Sequence, residues 1–578
     1  MPATAAAIFL ALGSASPAAT PTVHTFPIPG GQVASPETQI SFRGIPVTPL
    51  SVVGSESGPH SGRVMRHSDG HGSSFLPKVA FTPGEVVTVR TPSTVNVAES
   101  KNGVFDFKVA TPASQATCVK YPVAPRIRGS VWRFHSRPDL DPAAVKVVTT
   151  SKRMAPGDIF VGPGNGPVQT GPMILDPAGR LIWFRPLRGD NWASDFTTQV
   201  YLGQSVLTWW QGCNNGGGVD EIYNSHYRRV AAVRAGNGLR ADLHEFKITR
   251  QGTALITSYY PVIWPVQTPH GKVRQVVVDG VVQEIDIRSC HVGPTCLVLF
   301  QWDSLDHVPV RDVHAQRPAK AGDYFHVNSV QQDSDGNLVI NSRNTWAAYK
   351  VSHDTGRIMW TLGGKHSSFK FGPGAAFAFQ HDVRVFAHDT LVTMFDDEGG
   401  PPAVGSQSRG LKLRLDLKTM TATLVSQYVH DPALQAFYMG GVQTLPDSHV
   451  FVGWGPQGHF SEFDRHGQLL FDARFVGPDS SYRAFRFPWI GIPATFPSVT
   501  ASDTDNGTQV YASWNGATEV AAWQVLAGST PTSLTARGVF SKSDFETAMA
   551  ISRVRYVAVQ ALDSANRVIG RSPTIQAG

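Results

Sequence analysis

The stretch His326–Arg343, HVNSVQQDSDGNLVINSR, decides how the rest of the chain is read. Its first half alternates as a half-buried strand does, DSDG carries turn chemistry, and LVINS is a second strand, so the stretch is a β-hairpin. A hairpin needs neither a histidine at its start nor an arginine at its end. The same phrase returns as HEFKITRQGTALITSYY from His244, HDVRVFAHDTLVTMFDD from His381 and GVQTLPDSHVFVGWG from Gly441. A companion phrase is an apolar pair, an Asp, a Gly turn and apolar residues ending in an aromatic. It occurs as MILDPAGRLIWF from Met173, YKVSHDTGRIMWTL from Tyr349 and SEFDRHGQLLFDARF from Ser461. Two hairpins per repeat make four strands, the content and spacing of a propeller blade. With earlier blades near Ile174 and SVLTWWQG, six blades fit. The long interval between His244 and His326 is expected to hold an inserted hairpin around VVVDGVVQEIDI.

Working outward, residues 21–112 read as a small immunoglobulin-like sandwich of short strands between Gly, Ser and Pro clusters. Residues 113–158 form a Pro-rich connector, 159–491 the propeller, and 497–578 a second sandwich of fibronectin III-like pattern. The fold class is all-β: a six-bladed β-propeller flanked by N-terminal and C-terminal sandwich domains. Helical patterns are scarce, SDFETAMAISR near Ser543 being among the few. The 578 residues, 55 of them Gly and 41 Pro, suit many short strands joined by turns.

A net charge of +6 spread over this length, without a dense basic run, argues against nucleic acid as a partner. No apolar run reaches the length of a membrane span. Residues 1–20, MPATAAAIFLALGSASPAAT, have the apolar core and small-residue end of a secretory signal, with GSA or PAA as the cleavage site, and point to a secreted or extracytoplasmic protein. A basic n-region is missing. Four cysteines, Cys118, Cys213, Cys290 and Cys296, allow three pairings; Cys290 and Cys296 bracket a turn-like loop and could form a short bridge, and free buried thiols are the other reading. No CxxC spacing indicates zinc, and no cofactor is expected.

His244, His326 and His381 hold the same phase in three repeats. In a propeller, equivalent ends of successive blades meet at one mouth of the central channel. The hairpin's polar ends are thus explained by a shared, ligand-sized cavity. Imidazole serves as nucleophile and general acid/base near neutral pH. Arg343 offers a fork of donors for a tetrahedral oxyanion, and Asn328 an amide N–H. The set suits an anion such as phosphate, sulfate or carboxylate; a three-histidine metal site is the competing chemistry. Trp209, Trp210, Phe325, Trp346 and Phe379 are candidates to hold an aromatic ring.

At DYFHVNSVQQDSDGNLVINSRNTWAAYKVSHDTGRIMWTLGG and FAFQHDVRVFAHDTLVTMFDDEG the chain resembles the arylsulfotransferase (aryl-sulfate sulfotransferase) family, and more closely its actinobacterial and fungal branch. The resemblance implies a six-bladed propeller that moves a sulfuryl group from a phenolic sulfate ester to a phenol through a sulfohistidine, without the nucleotide donor PAPS. It implies that His381 of QHD is the nucleophile, that His326 and Asn328 of FHVN and Arg343 of NSR hold the sulfuryl oxygens, and that His244 of LHEF is the upstream partner. The extra terminal modules depart from the periplasmic enzymes of the family. A propeller hydrolase, as sulfatase or metal-dependent lactonase, and a non-catalytic secreted scaffold are the rival readings. The sequence names neither donor nor acceptor, and leaves the oligomeric state open.

Overall fold

A computed structural model describes residues 22–578 except 120–123, 167–168, 214–215, 292–295 and 315–321, so the signal-like segment lies outside the described residues. The regular structure of the described chain is nearly all strand, and none of its helices is long and apolar enough to cross a membrane. SDFETAMAISR, read from sequence as helix-like, is a strand, Glu546–Ile551. There Thr547 and Met549 are buried while Ala548 and Ala550 are exposed, a period of two that overrides the helix preference of Ala, Met and Glu.

Among the described residues six sheets follow one another between 145 and 487, antiparallel but for the short strand Lys370–Phe371, which pairs parallel with Thr421–Tyr428. Four begin on a strand that opens a repeat: Trp192–Tyr201, Phe246–Ile248, Val327–Gln332 and His381–Phe386. A fifth begins on Gly441–Thr444 and takes its outermost strand, Val145–Thr149, from the segment read as connector; Val145–Thr149 pairs antiparallel with Leu469–Phe475. The sixth joins Ala484–Phe487 to Asp158–Val161, so residues far apart in sequence finish two sheets. Successive sheets touch in order, and Ala484–Phe487 touches Trp192–Tyr201, which closes the circuit.

Glutamines stitch several of these junctions. Gln199 donates to Phe246 O (2.8 Å) and accepts from Ile248 N (2.8 Å). Gln331 makes the same pair of bonds with Val385, and Gln443 with Arg486. A side-chain amide thereby stands in for a neighbouring strand and satisfies backbone groups that the sheet edge would leave bare.

The length between His244 and His326 is not an inserted hairpin. The sheet's own central strands are simply long, Ala254–Thr268 against Gly271–Asp286, and VVVDGVVQEIDI runs within the second of them. Gly271 (φ 109°) makes their tight turn. Two disulfides are formed, Cys118–Cys213 and Cys290–Cys296.

Residues 22–108 form two sheets over one apolar core that includes Val23, Ile40, Phe42, Val89 and Phe107. They dock on the ring through Phe26 against Phe300 (4.7 Å between centroids) and Ser68, which gives two hydrogen bonds to Asp286. Residues 498–576 form two further sheets around Val510, Trp523, Val525 and Val559. Asn515 anchors them by exchanging two hydrogen bonds with Phe184.

Candidate functional site

The leading strands carry polar residues to one place because their first turns are distorted. The register slips between Val327 and Ser329 and between His381 and Arg384, and His326 and Asp382 both adopt φ 55°. A bulge at a strand's end re-aims side chains, and left-handed backbone at a β-bearing residue is held only where surrounding contacts over-determine it. Here they do. Arg343 N donates to His326 O (3.0 Å), and the carboxylate of Asp382 accepts from Val442 N (3.0 Å).

Each of the three histidines is tied by Nδ1 to its own carboxylate. His381 meets Asp397 at 2.7 Å, His326 meets Asp323 at 2.5 Å, and His244 meets Asp242. The rings of His244 and His326 lie edge to face, 5.1 Å apart, and Tyr482 packs against both His244 (5.5 Å) and His381 (6.5 Å). Tyr259 Oη, beside His244 and His326, donates to Val327 O (2.7 Å).

The tautomer of His381 follows from its partners. Met439 N–H donates to Nε2 (3.3 Å), so that nitrogen is an acceptor and the ring proton sits on Nδ1, facing Asp397. His381 is 1% exposed. Burial, reinforced by the positive Arg343 and by His244 and His326, pushes its pKa well below 6.5. The ring is therefore neutral at neutral pH, with its lone pair on Nε2. Burial also lowers His326, against the pull of Asp323, and raises Asp397, against Arg343.

Arg343 spans the mouth of the cluster. It donates to Asn344 Oδ1 (2.9 Å) and Phe437 O (2.8 Å) and lies over the Phe379 ring at 4.8 Å. Its Nε is buried and has no hydrogen-bond partner among the described residues. An unmet charged donor is costly unless a ligand completes it. Asn328 is placed differently: its amide donates to Gln380 O (2.9 Å) and accepts from Asn341 (2.6 Å), so both ends are engaged in holding the turn before His381. Of the aromatic candidates, Trp209, Trp210 and Phe325 are core residues. Phe379 and Trp346 pack on each other (5.0 Å) beside Arg343, and Phe437 and Tyr438 are exposed on the adjoining loop.

Beneath the histidines lies a knot of buried charge. Arg483 reaches Asp195 (2.8 Å), Glu245 (3.2 Å) and Asn328 O (3.0 Å), while Arg384 reaches Glu245 and Asp382 at 2.6 Å each. These groups come from the leading strands of five sheets or from residues beside them. Glu245 follows His244, Asp382 follows His381 and Arg483 follows Tyr482. In each case one residue faces the site and the next joins the charged layer that pins the strands together. Asp242 and Asp323 had a local signal, an aspartate two or three residues before each histidine. Asp397 reaches His381 only because Phe395 pairs with His381 across the sheet.

The Arylsulfotransferase (ASST) family model matches residues 197–476, a span that contains all five of these candidate residues. No curated protein matches the chain. Among solved structures, a protein of unknown function from Bacteroides caccae is 11% identical over 57% of this chain and 98% of its own, with a TM-score of 0.35. The periplasmic gluconolactonase of Pseudomonas aeruginosa is 12% identical over 57% and 99%, with a TM-score of 0.31. A virginiamycin B lyase from Staphylococcus aureus is 9% identical over 64% and 96%, with a TM-score of 0.24.

Proposed function

We propose, from the premise that residues 197–476 of this chain belong to the arylsulfotransferase family, that its axial histidines move a sulfuryl group from a phenolic sulfate ester to a phenol. In this reading the closed circuit of sheets is a six-bladed propeller flanked by two sandwich domains. The observation that carries the reaction is the site itself: three imidazoles, each held at Nδ1 by its own carboxylate, beside a guanidinium with one unused buried donor.

Sulfuryl transfer, like phosphoryl transfer, asks for positioning and charge stabilisation more than covalent assistance. His381 Nε2 attacks sulfur, the N–S bond forms, and the S–O bond to the ring breaks with its electron pair leaving on the phenolate oxygen. The sulfated ring becomes cationic, and Asp397 on Nδ1–H stabilises it. Met439 N–H must first release Nε2, which places the loop bearing Phe437 and Tyr438 over the entry step. Arg343 Nε binds a sulfuryl oxygen; the first ring departs as phenolate, and Nε2 of His326 or His244 accepts the proton of the incoming phenol as it attacks. Attack of that phenol on the N-sulfo group restores His381. Asn328 acts through the backbone it holds, as a positioning residue. Phe379, Trp346 and Tyr438 supply ring contacts for aryl substrates. The two disulfides fit a protein exported to an oxidising compartment.

The test is intact mass spectrometry after mixing the protein with 4-nitrophenyl sulfate. We expect one sulfuryl adduct on His381, discharged by added phenol with release of the aryl sulfate. An adduct elsewhere, or nitrophenolate released at the same rate without phenol, rejects the transferase assignment. His381→Ala should form no adduct.

A further inference from the structure

A second histidine group lies away from the axis. His430 follows the strand Thr421–Tyr428, His459 opens the strand His459–Phe463, and Asp472 lies in the facing strand Leu469–Phe475, whose register sets it opposite Ser461. The register puts His459, Ser461 and Asp472 on one face of the sheet, and the loop folds His430 down onto it, its ring 4.9 Å from that of His459.

The contacts to the carboxylate are long for hydrogen bonds between charged partners. His459 Nδ1 is 3.3 Å from both oxygens of Asp472, and His430 Nε2 is 3.3 Å from Oδ1. Charge-assisted hydrogen bonds are shorter, about 2.7–2.9 Å. Tetrahedral coordination with metal–ligand bonds of about 2.0–2.2 Å, by contrast, sets neighbouring donor atoms about 3.3–3.5 Å apart.

The hydrogen bonds behind the donors agree. His430 Nδ1 donates to Pro432 O (2.8 Å), which in the neutral ring leaves Nε2 as the lone-pair nitrogen; it is buried and has no hydrogen bond among the described residues, on a residue 5% exposed. An imidazole tied at one nitrogen to a backbone carbonyl is the usual arrangement around a metal-binding histidine. Asp472 Oδ1 accepts from Ser461 Oγ (2.7 Å), which in turn accepts from Trp454 Nε1 (2.9 Å), so the carboxylate is oriented and ionised. The other place where carboxylates converge, at Asp333, Asp335 and Asp389, differs: Lys350 Nζ fills it at 2.5, 3.0 and 2.6 Å, so the cation there is the chain's own.

We propose that His430, His459 and Asp472 bind one divalent transition-metal ion of the Zn²⁺ kind, with the fourth position open to water. Two imidazoles and one carboxylate are a borderline donor set that favours such ions over Mg²⁺ or Ca²⁺. The ion would clamp the start of the loop that runs on to Phe437 and Met439, the backbone partners of Arg343 and His381. That link to catalysis rests on the proposed function; the metal site does not.

The test is titration of full-length, metal-stripped protein with Zn²⁺ by calorimetry and with Co²⁺ by visible absorption. We expect one equivalent bound, with the intense d–d bands of four-coordinate Co²⁺. His459→Ala and His430→Gln should each weaken binding by about 10²-fold or more. If the wild-type protein takes up no equivalent, or if both folded variants keep the wild-type affinity, the proposal is overturned. The Co²⁺ spectrum of the wild type decides the matter should a variant not fold. None of these readouts depends on sulfuryl transfer, so a protein inactive toward aryl sulfates would leave the metal test intact.

Discussion

The axial histidines and the His430–His459 pair use the same two residue types to different ends. On the axis there is one carboxylate for each imidazole, at 2.5–2.7 Å where His326 and His381 are concerned. In the second group two imidazoles share the carboxylate of Asp472 at 3.3 Å. A private carboxylate fixes a proton on Nδ1 and leaves Nε2 as a nucleophile or proton carrier. The shared carboxylate of Asp472 lies at 3.3 Å from both rings, longer than a charge-assisted hydrogen bond, and the lone pair of His430 Nε2 is open to a cation. The ratio of carboxylates to imidazoles, together with the spacing, separates a reactive cluster from a coordinating one.

The largest effect should come from breaking one private pair. Asp397→Asn keeps the shape at Nδ1 but can turn its N–H toward the ring and favour the wrong tautomer, as the loss of the aspartate does in a Ser-His-Asp triad. The rate of adduct formation on His381, followed in a single turnover, should fall by about 10³–10⁴-fold. A drop smaller than tenfold would mean that the carboxylate does not set the tautomer, and the contrast between the clusters would lose its basis.

Next is the layer under the axial site. Arg483→Met strips the counter-charge from Asp195 and Glu245, both fully buried, and stranding buried charge costs about 3–5 kcal/mol. Urea unfolding should show that loss, with the affinity for Zn²⁺ unchanged because the polar partners of Arg483 are Asp195, Glu245, Asp382 and Asn328, none of them a proposed metal ligand. A loss below about 1 kcal/mol would show that the knot relaxes without holding the strands. Third, Arg343→Ala removes the donor aimed at the sulfuryl oxygens, and kcat/KM for 4-nitrophenyl sulfate should fall about 10²-fold. An unchanged value would take Arg343 out of the anion site.

How much of this could be read from sequence depends on how local each signal is. The hairpins from His244, His326 and His381 are local, because alternation and turn chemistry act over a few residues, and the phase of the histidines follows from them. Asp242 and Asp323 precede their histidines closely enough to have been noticed. Asp397, Tyr482 and the Met439 N–H reach His381 only through strand register and closure of the ring, which no short window contains. The same holds for Val145–Thr149, whose place in a sheet is set by Leu469–Phe475 far along the chain. At Asn328 the local signal and the observed partners differ. Its neighbourhood in the sequence suggested an anion ligand, while the amide is taken up by Gln380 and Asn341.

The smallest effect concerns pH, and it tests why the axial pairs are buried. His381 must be neutral to attack, and burial beside Arg343 depresses its pKa below 6.5, so the fraction in the reactive form barely changes between pH 8 and 6.5. The first half-reaction should vary by less than about twofold over that range and decline only at lower pH, as the imidazole takes up a proton. Arg343→Gln sharpens the point. Removing a positive charge beside the ring makes protonation easier, so the acid limb should move to higher pH even though the variant is slower throughout. If the limb stays where it was, Arg343 does not act on His381 through charge. If the wild-type limb is already centred near 6.5, the ring is solvated as an ordinary surface histidine, and the private carboxylate would then be guarding a proton that water could supply.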